Sequence, residues 1–390
     1  MKKEKDIKDF SWWKTITFSA IITILAFFLS HFIIFDIFSS SIFSPLEKSF
    51  DFELPDVYNS IAQRRSVSTL NNNIAIVKVD GISRDDIAHI IRKVDNYEPS
   101  AIILDVMFIY PSPSDTLLIE VCETTDNLIL PVIIEENGNI IKSYFYDYLS
   151  DPYLGAVNIS GNSHKDIIRN FKPFFSTPEG SIPTIDSEAL YVYDKEKYNH
   201  LLVRNNSQEI INYPSTQFYE LDGSDILDSE ETTLIAEILK DKLVYIGNID
   251  DPSDFHLTPI ETMSGLEIHA HTLDTMIQDK YIDKTPTLKS WIIAIIACYI
   301  FIFCGTFFNL KGLSGSSLYL RFIQIAVILS LIIIGSWYFL YHNFYLDFAP
   351  TILMISFGTL ALDIFLGCID AYKVVNKKLL PKLTKNKSHE

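Results

Sequence analysis

The chain has 390 residues, 48% of them hydrophobic, and a formal net charge of −17. Residues 36–289 hold 42 acids against 19 lysines and arginines, which excludes a nucleic-acid-binding role, since phosphates need clustered cations. Cys122 is the one cysteine of that region, so no disulfide forms within it; its stability must come from a packed core, which about 250 residues can supply.

After a basic tail at 1–14, residues 15–35 (TITFSAIITILAFFLSHFIIF) carry no charge. As a helix rising ~1.5 Å per residue, this run crosses a ~30 Å hydrocarbon core. No small-x-small cleavage site follows it, so it is read as an uncleaved anchor.

A polar stem (36–70) leads into NIAIVKVD and RDDIAHIIRKV, a strand and then a helix with Ile87, Ile90, Ile91 and Val94 at helical spacing. SAIILDVMFIY reads as a strand buried on both faces, SDTLLIEVCETT as a short helix and NLILPVII as another strand. This alternation predicts an α/β domain with a mainly parallel sheet flanked by helices. ENGN marks a hairpin turn, GAVNIS a strand, residues 186–198 a helix and EIINY a short strand. ETTLIAEILKDKLVYIG gives a helix running into a buried strand. GLEIHAHTLDTMIQDKY closes the domain as a helix with Leu266, Ala270, Leu273 and Ile277 on one face.

Three apolar segments follow, 291–308, 322–341 and 349–369, joined by turn-length links and ending in a basic tail at 370–390. Thirteen lysines and arginines flank one side of the four spans, against Lys48, Lys280, Lys284 and Lys289 on the other. The positive-inside rule then puts both termini in the cytoplasm and residues 36–289 outside, with a bacterial inner membrane as the expected location. Asp363, inside the last span, is within reach of water or a cation such as Lys373 near the cytoplasmic end.

Asp105 interrupts the apolar run AIILDVMF, and a buried carboxylate needs a partner; Arg84 and Arg169 are the expected ones. It is either a ligand-contacting acid or one half of a structural ion pair. Asp80 ends its strand, where ligands bind in open parallel sheets and where an aspartate also bonds the backbone of GIS in a turn. The segment YIGNIDDPSDFHLTPIETMSGLEIHAH is dense in acids and histidines, among them Asp250, Asp251, His256 and Glu267. His269 and His271, two apart, diverge on a helix, so no metal site is adopted and no cofactor is expected. Asp254 and Thr258 are read as loop-fixing residues, and Glu267 as an acid suited to a helix start. Ser163, Ser176 and Ser181 lie in no nucleophile-elbow context.

These segments resemble the type-2 CHASE domain over about residues 40–285. The carrying motifs are IAIVKVD with RDDIAHII, AIILDVMF, NISGNSHKDIIRNFKPFF, IINYPSTQFYELDGSDIL and LKDKLVYIGNIDDPSDFHLTPIETMSGLEIHAHTLDTMI. The last is the most specific, with Gly247, then Asp254, Thr258 and Pro259, then Gly265, His269 and Ala270 in order. The resemblance implies an extracytoplasmic sensing module of the kind that receptors with kinase or cyclase output carry ahead of three transmembrane helices. Asp80, Arg84, Asp105, Arg169, Asp254 and His269 are the ligand-binding candidates. The family has an aromatic and proline-rich stretch before its arginine that is cut here to GISR, and no output domain follows the last span. The expectation is therefore a non-enzymatic sensor that detects a small molecule or peptide and signals to a cytoplasmic or membrane effector in trans, with a homodimer as one compatible arrangement. A structural factor of an envelope complex is the alternative, and an extracytoplasmic hydrolase using Asp80, Asp105 and Asp254 is a third reading.

Overall fold

The computed structural model describes residues 12–32, 53–65, 69–113, 115–159, 167–178, 180–213, 216–228, 233–310 and 316–386. The tail to residue 11, residues 36–52 of the stem, Ser163 and Lys311 lie outside the described residues. The chain divides into two compact units, Pro55–Asp283, and Met1–Leu54 with Lys284–Glu390.

Helix α1 (Trp12–Phe32) comes first. Part of the region read as polar stem is then helical, α2 (Leu54–Arg65), because Asp56, Tyr58 and Asn59 are buried. The sheet of the Pro55–Asp283 unit begins with β1 (Thr69–Lys78), α3 (Arg84–Asp95), β2 (Ala101–Asp105), α4 (Asp115–Thr124) and β3 (Leu128–Ile134). Ser83 caps α3, its hydroxyl accepting the Asp86 amide. The hairpin expected at ENGN joins β3 to β4 (Ile140–Ile141). The next strand, β5 (Tyr153–Ala156), starts and ends earlier than GAVNIS implied.

Short strands follow: β6 (Asn170–Phe171), then the hairpin of β7 (Phe174–Thr177) and β8 (Gly180–Pro183). The helix expected at 186–198 is two, α5 (Ile185–Tyr193) and α6 (Lys195–Arg204), because the Asp194 side chain accepts the amides of Glu196 and Lys197 and starts a new helix. Then come β9 (Glu209–Ile210), β10 (Thr216–Asp222), α7 (Gly223–Asp228), α8 (Thr233–Leu239) and β11 (Leu243–Gly247). Two short strands, β12 (Phe255–Leu257) and β13 (Thr262–Ser264), lead to α9 (Gly265–Ile277). Ser264 and Glu267 form a reciprocal capping box at its start.

The sheet order is β10, β1, β11, β2, β3, with β5 parallel and β4 antiparallel on the outer edge of β3. Every other pairing is parallel. Alternating residues supply two cores. Ala75, Val77, Ile102, Leu104, Val244 and Ile246 pack against α3, α4, α7 and α8. Ile74, Ile76, Ala101, Ile103, Leu243 and Tyr245 pack against α5, α6 and α9. Both faces of the sheet are thus covered, which is why its central strands read as unbroken apolar runs. Helix α9 differs from the one-sided amphipathic helix expected, since all of its residues but Glu267 are buried. Where β5 crosses α5, a side chain at Gly155 would place its Cβ 2.3 Å from Ile185 Cα, so only glycine permits the approach.

In the other unit α1 packs with α10 (Thr287–Leu310), α11 (Ser316–His342) and α12 (Ala349–Asn386) around Ile22, Ala26, Ala294, Cys298, Ile302 and Leu362. Among the described residues four helices are long and apolar enough to cross a membrane. Small residues sit at their contacts, Gly358 against Cys298 and Gly305 against Leu320, and Ser19 and Thr306 share a hydrogen bond of 2.9 Å. Asp363 is held by Arg321 of α11, which also donates to Thr359; the side chain of Lys373, the cation expected there, lies outside the described residues.

Candidate functional site

Parallel strands β1, β11 and β2 end side by side, with Lys78 opposite Gly247 and Gly247 opposite Asp105. Ligands of open α/β sheets bind beyond this edge. Asp80 stands there with both oxygens engaged, accepting the amides of Ile249 and Asp250 at 3.0 and 3.1 Å. It ties down the loop after β11 and not the GIS backbone, because the two loops leave adjacent strands.

Asp105 ends the neighbouring strand and is partly exposed, with its Cβ beside Gly247 of β11. Among the described residues no donor bonds it. Burial pushes it up to about 6, with His269 opposing and Asp254 and Asp186 adding to the rise. Its expected arginine partners are elsewhere; its positive neighbour is a histidine.

His269 is buried on α9. Its Nδ1 lies 2.8 Å from Asp186 Oδ2, and its Nε2 lies 3.4 Å from the Val157 carbonyl oxygen. The Tyr245 hydroxyl donates to the other oxygen of Asp186 at 2.7 Å. Burial acts to lower the His269 pKa, but the charge and hydrogen bond of Asp186, with the charge of Asp105, outweigh it and raise the imidazole to about 9. Two carboxyls thus favour the charged form of this buried imidazole, Asp186 bonded to it and Asp105 acting through its charge. Sequence reasoning missed Asp186 and Tyr245. Their signals were an acid in the first turn of a helix and a tyrosine in the middle of a buried strand, whose hydroxyl must find an acceptor.

The two arginines serve other networks. Arg84 pairs with the buried Asp115 at 3.2 Å, donates to the Tyr110 carbonyl and lies over the Phe108 ring. Tyr144 donates to the same carboxylate at 2.8 Å. Arg169 meets Asp56 of α2 through Nε and Nη2 at 2.8 and 2.7 Å, a buried two-pronged pair. Asp254 accepts the Gly265 amide at 3.0 Å at the start of α9, and a Cβ at Gly265 would come within 2.5 Å of it. Thr258 accepts the amides of Ile260 and Glu261, closing the loop between β12 and β13. Of the six candidates, then, Asp105, His269 and Asp254 share one neighbourhood, Asp80 borders it, and Arg84 and Arg169 stand apart. Among the described residues no three His, Cys, Asp or Glu side chains converge as metal ligands.

A cleft of about 1590 Å³ opens among the β3–β4 hairpin, the β7–β8 hairpin and the end of α6. Asn158, Ile159, Asn170 and Lys172 line both it and a narrow cavity that reaches Asp186 and His269. Beside the cleft residue Tyr198, burial pushes the Glu188 carboxyl up to about 7.

Among known families, the one described as the CHASE2 domain matches residues 29–307, more than half of the chain. No curated protein and no solved structure matches.

Proposed function

Since the chain belongs to the CHASE2 domain family, an extracellular sensory domain family, we propose that it is a membrane-bound sensor whose ligand acts at the carboxyl edge of the parallel sheet. One observation carries this reading. Asp105 presents a carboxyl that accepts no hydrogen bond among the described residues, at the edge where such sheets bind ligands, next to an imidazolium held by Asp186. A ligand group that bonds Asp105 shifts the charge balance of a buried network, which gives ligand-free and ligand-bound states different energies.

The four helices long and apolar enough to cross a membrane support a membrane protein, and the excess of lysine and arginine on one side of the spans supports cytoplasmic termini with residues 36–289 outside a bacterial inner membrane. In this reading a separate effector protein receives the change. The test is a thermal-shift screen of the full-length protein in nanodiscs against small molecules and short peptides. Hits that vanish in Asp105→Asn support the site, and a screen without any hit sinks it. Crosslinking in cells with and without the hit then asks whether a partner responds; a partner captured identically in both states argues for a structural role in the envelope.

A further inference from the structure

The cleft above the His269 network has a composition that selects among ligands. Among the described residues twenty-five line it, of which ten are asparagine, glutamine, serine or threonine and four are charged. Arg169 spends its charge on Asp56, and the Lys172 ammonium lies over the Phe175 ring at 5.4 Å. Glu135 and Glu136 sit exposed on the hairpin at the rim. Among the described residues, an anionic ligand would face those two acids with little cationic compensation, and a cationic one would find acids on a single side.

Neutral amides each offer donors and an acceptor, which matches a ligand dense in hydroxyl and amide groups. Aromatic surface is present as well, since Phe174 and Tyr198 meet edge to face with centroids 6.2 Å apart within the lining. Rings of this kind bind the apolar C–H faces of molecules whose rims are polar. The volume also exceeds the ~300–1,000 Å³ usual for a single small molecule.

We propose that this cleft binds an uncharged glycan, a short oligomer of sugar rings bearing hydroxyl and acetamide groups. The proposal names the ligand class of the sensor reading and rests on it. Asn158, Ile159, Asn170 and Lys172 border both the cleft and a water-sized cavity lined by Asp186 and His269, so a glycan in the cleft would touch residues that pack on that network.

Titration calorimetry on the full-length protein in nanodiscs tests it, with chitotetraose and maltotetraose as glycan probes and tetraalanine amide as a peptide of similar polarity. Saturable binding of at least one oligosaccharide is expected. Phe174→Ala should weaken it about tenfold, as loss of a buried aromatic anchor does. Because Phe174 also packs into the core, Gln208→Ala is the deciding variant: this exposed residue on the loop after α6 should cost about threefold through one lost hydrogen bond. No saturable heat from either oligosaccharide, preference for the peptide, or glycan binding unchanged in Gln208→Ala would each overturn the assignment. An Asp105-dependent hit in the ligand screen alongside such a failure would spare the sensor reading.

Discussion

Two histidines two residues apart on α9 are equally buried, yet their pKa values are driven in opposite directions. His269 faces Asp186 and is raised to about 9. His271 packs against the rings of Tyr213 and Phe218, its Nδ1 has no hydrogen-bond partner among the described residues, and burial pushes it down to about 4. Their exposures are 4% and 3%, so burial alone does not decide charge. One carboxylate does, by supplying at 2.8 Å the attraction that offsets the lost hydration.

Removing that carboxylate should produce the largest effect. Asp186→Ala strands His269 and the Tyr245 hydroxyl, and denaturant unfolding of the full-length protein should show a loss of roughly 3–5 kcal/mol. A loss under about 1 kcal/mol would mean the ion pair is not the buried one described. Next in size is the alkaline behaviour of His269. Its folded pKa is raised, so its stabilisation is complete below 6.5 and fades as pH climbs through about 9. Stability measured from pH 6 to 10 should fall over that window in the wild type and lose this slope in His269→Gln.

His271 predicts the reverse. With its pKa lowered, its cost appears on acidification, as pH drops from 6.5 towards about 4. His271→Phe should abolish that acid-side slope while changing stability at pH 7 by less than about 1.5 kcal/mol. A large loss at neutral pH would show that the imidazole makes a bond its surroundings do not reveal. Glu188 extends the comparison to an acid, since burial raises it to about 7. The wild type should lose stability as pH rises from 4.5 to about 7, so Glu188→Gln should gain on it across that range. A difference that is flat with pH would remove Glu188 from the set of perturbed groups, and this is the smallest of the expected effects.

How far these contrasts were legible in the sequence depends on the distance over which each partner acts. The strand, helix and strand pattern from β1 to β3 was readable because continuous apolar runs and helical spacing are local signals. The divergence of His269 and His271 followed from helix geometry, and the loop roles of Asp254 and Thr258 from local side-chain chemistry. Strand β10 was missed, since TQFYELD lies on the sheet edge, where only partial burial leaves a mixed pattern. The partners of Arg84, Arg169 and His269 lie 31, 113 and 83 residues away, and a sequence holding 49 acids offers many equivalent choices. Asp105 was correctly marked as a carboxyl in a buried setting, but its neighbour was assigned to the wrong residue type for the same reason.

The late arrival of β11 has a consequence for biogenesis. This strand lies between β1 and β2 yet is made some 140 residues after β2, so the growing chain carries two apolar strands with a vacant slot between them. Their unpaired edges invite pairing with other chains until residues 243–247 emerge. A ribosome stalled before that point should leave a protease-sensitive, chaperone-dependent nascent domain, and release past α9 should close it in one cooperative step.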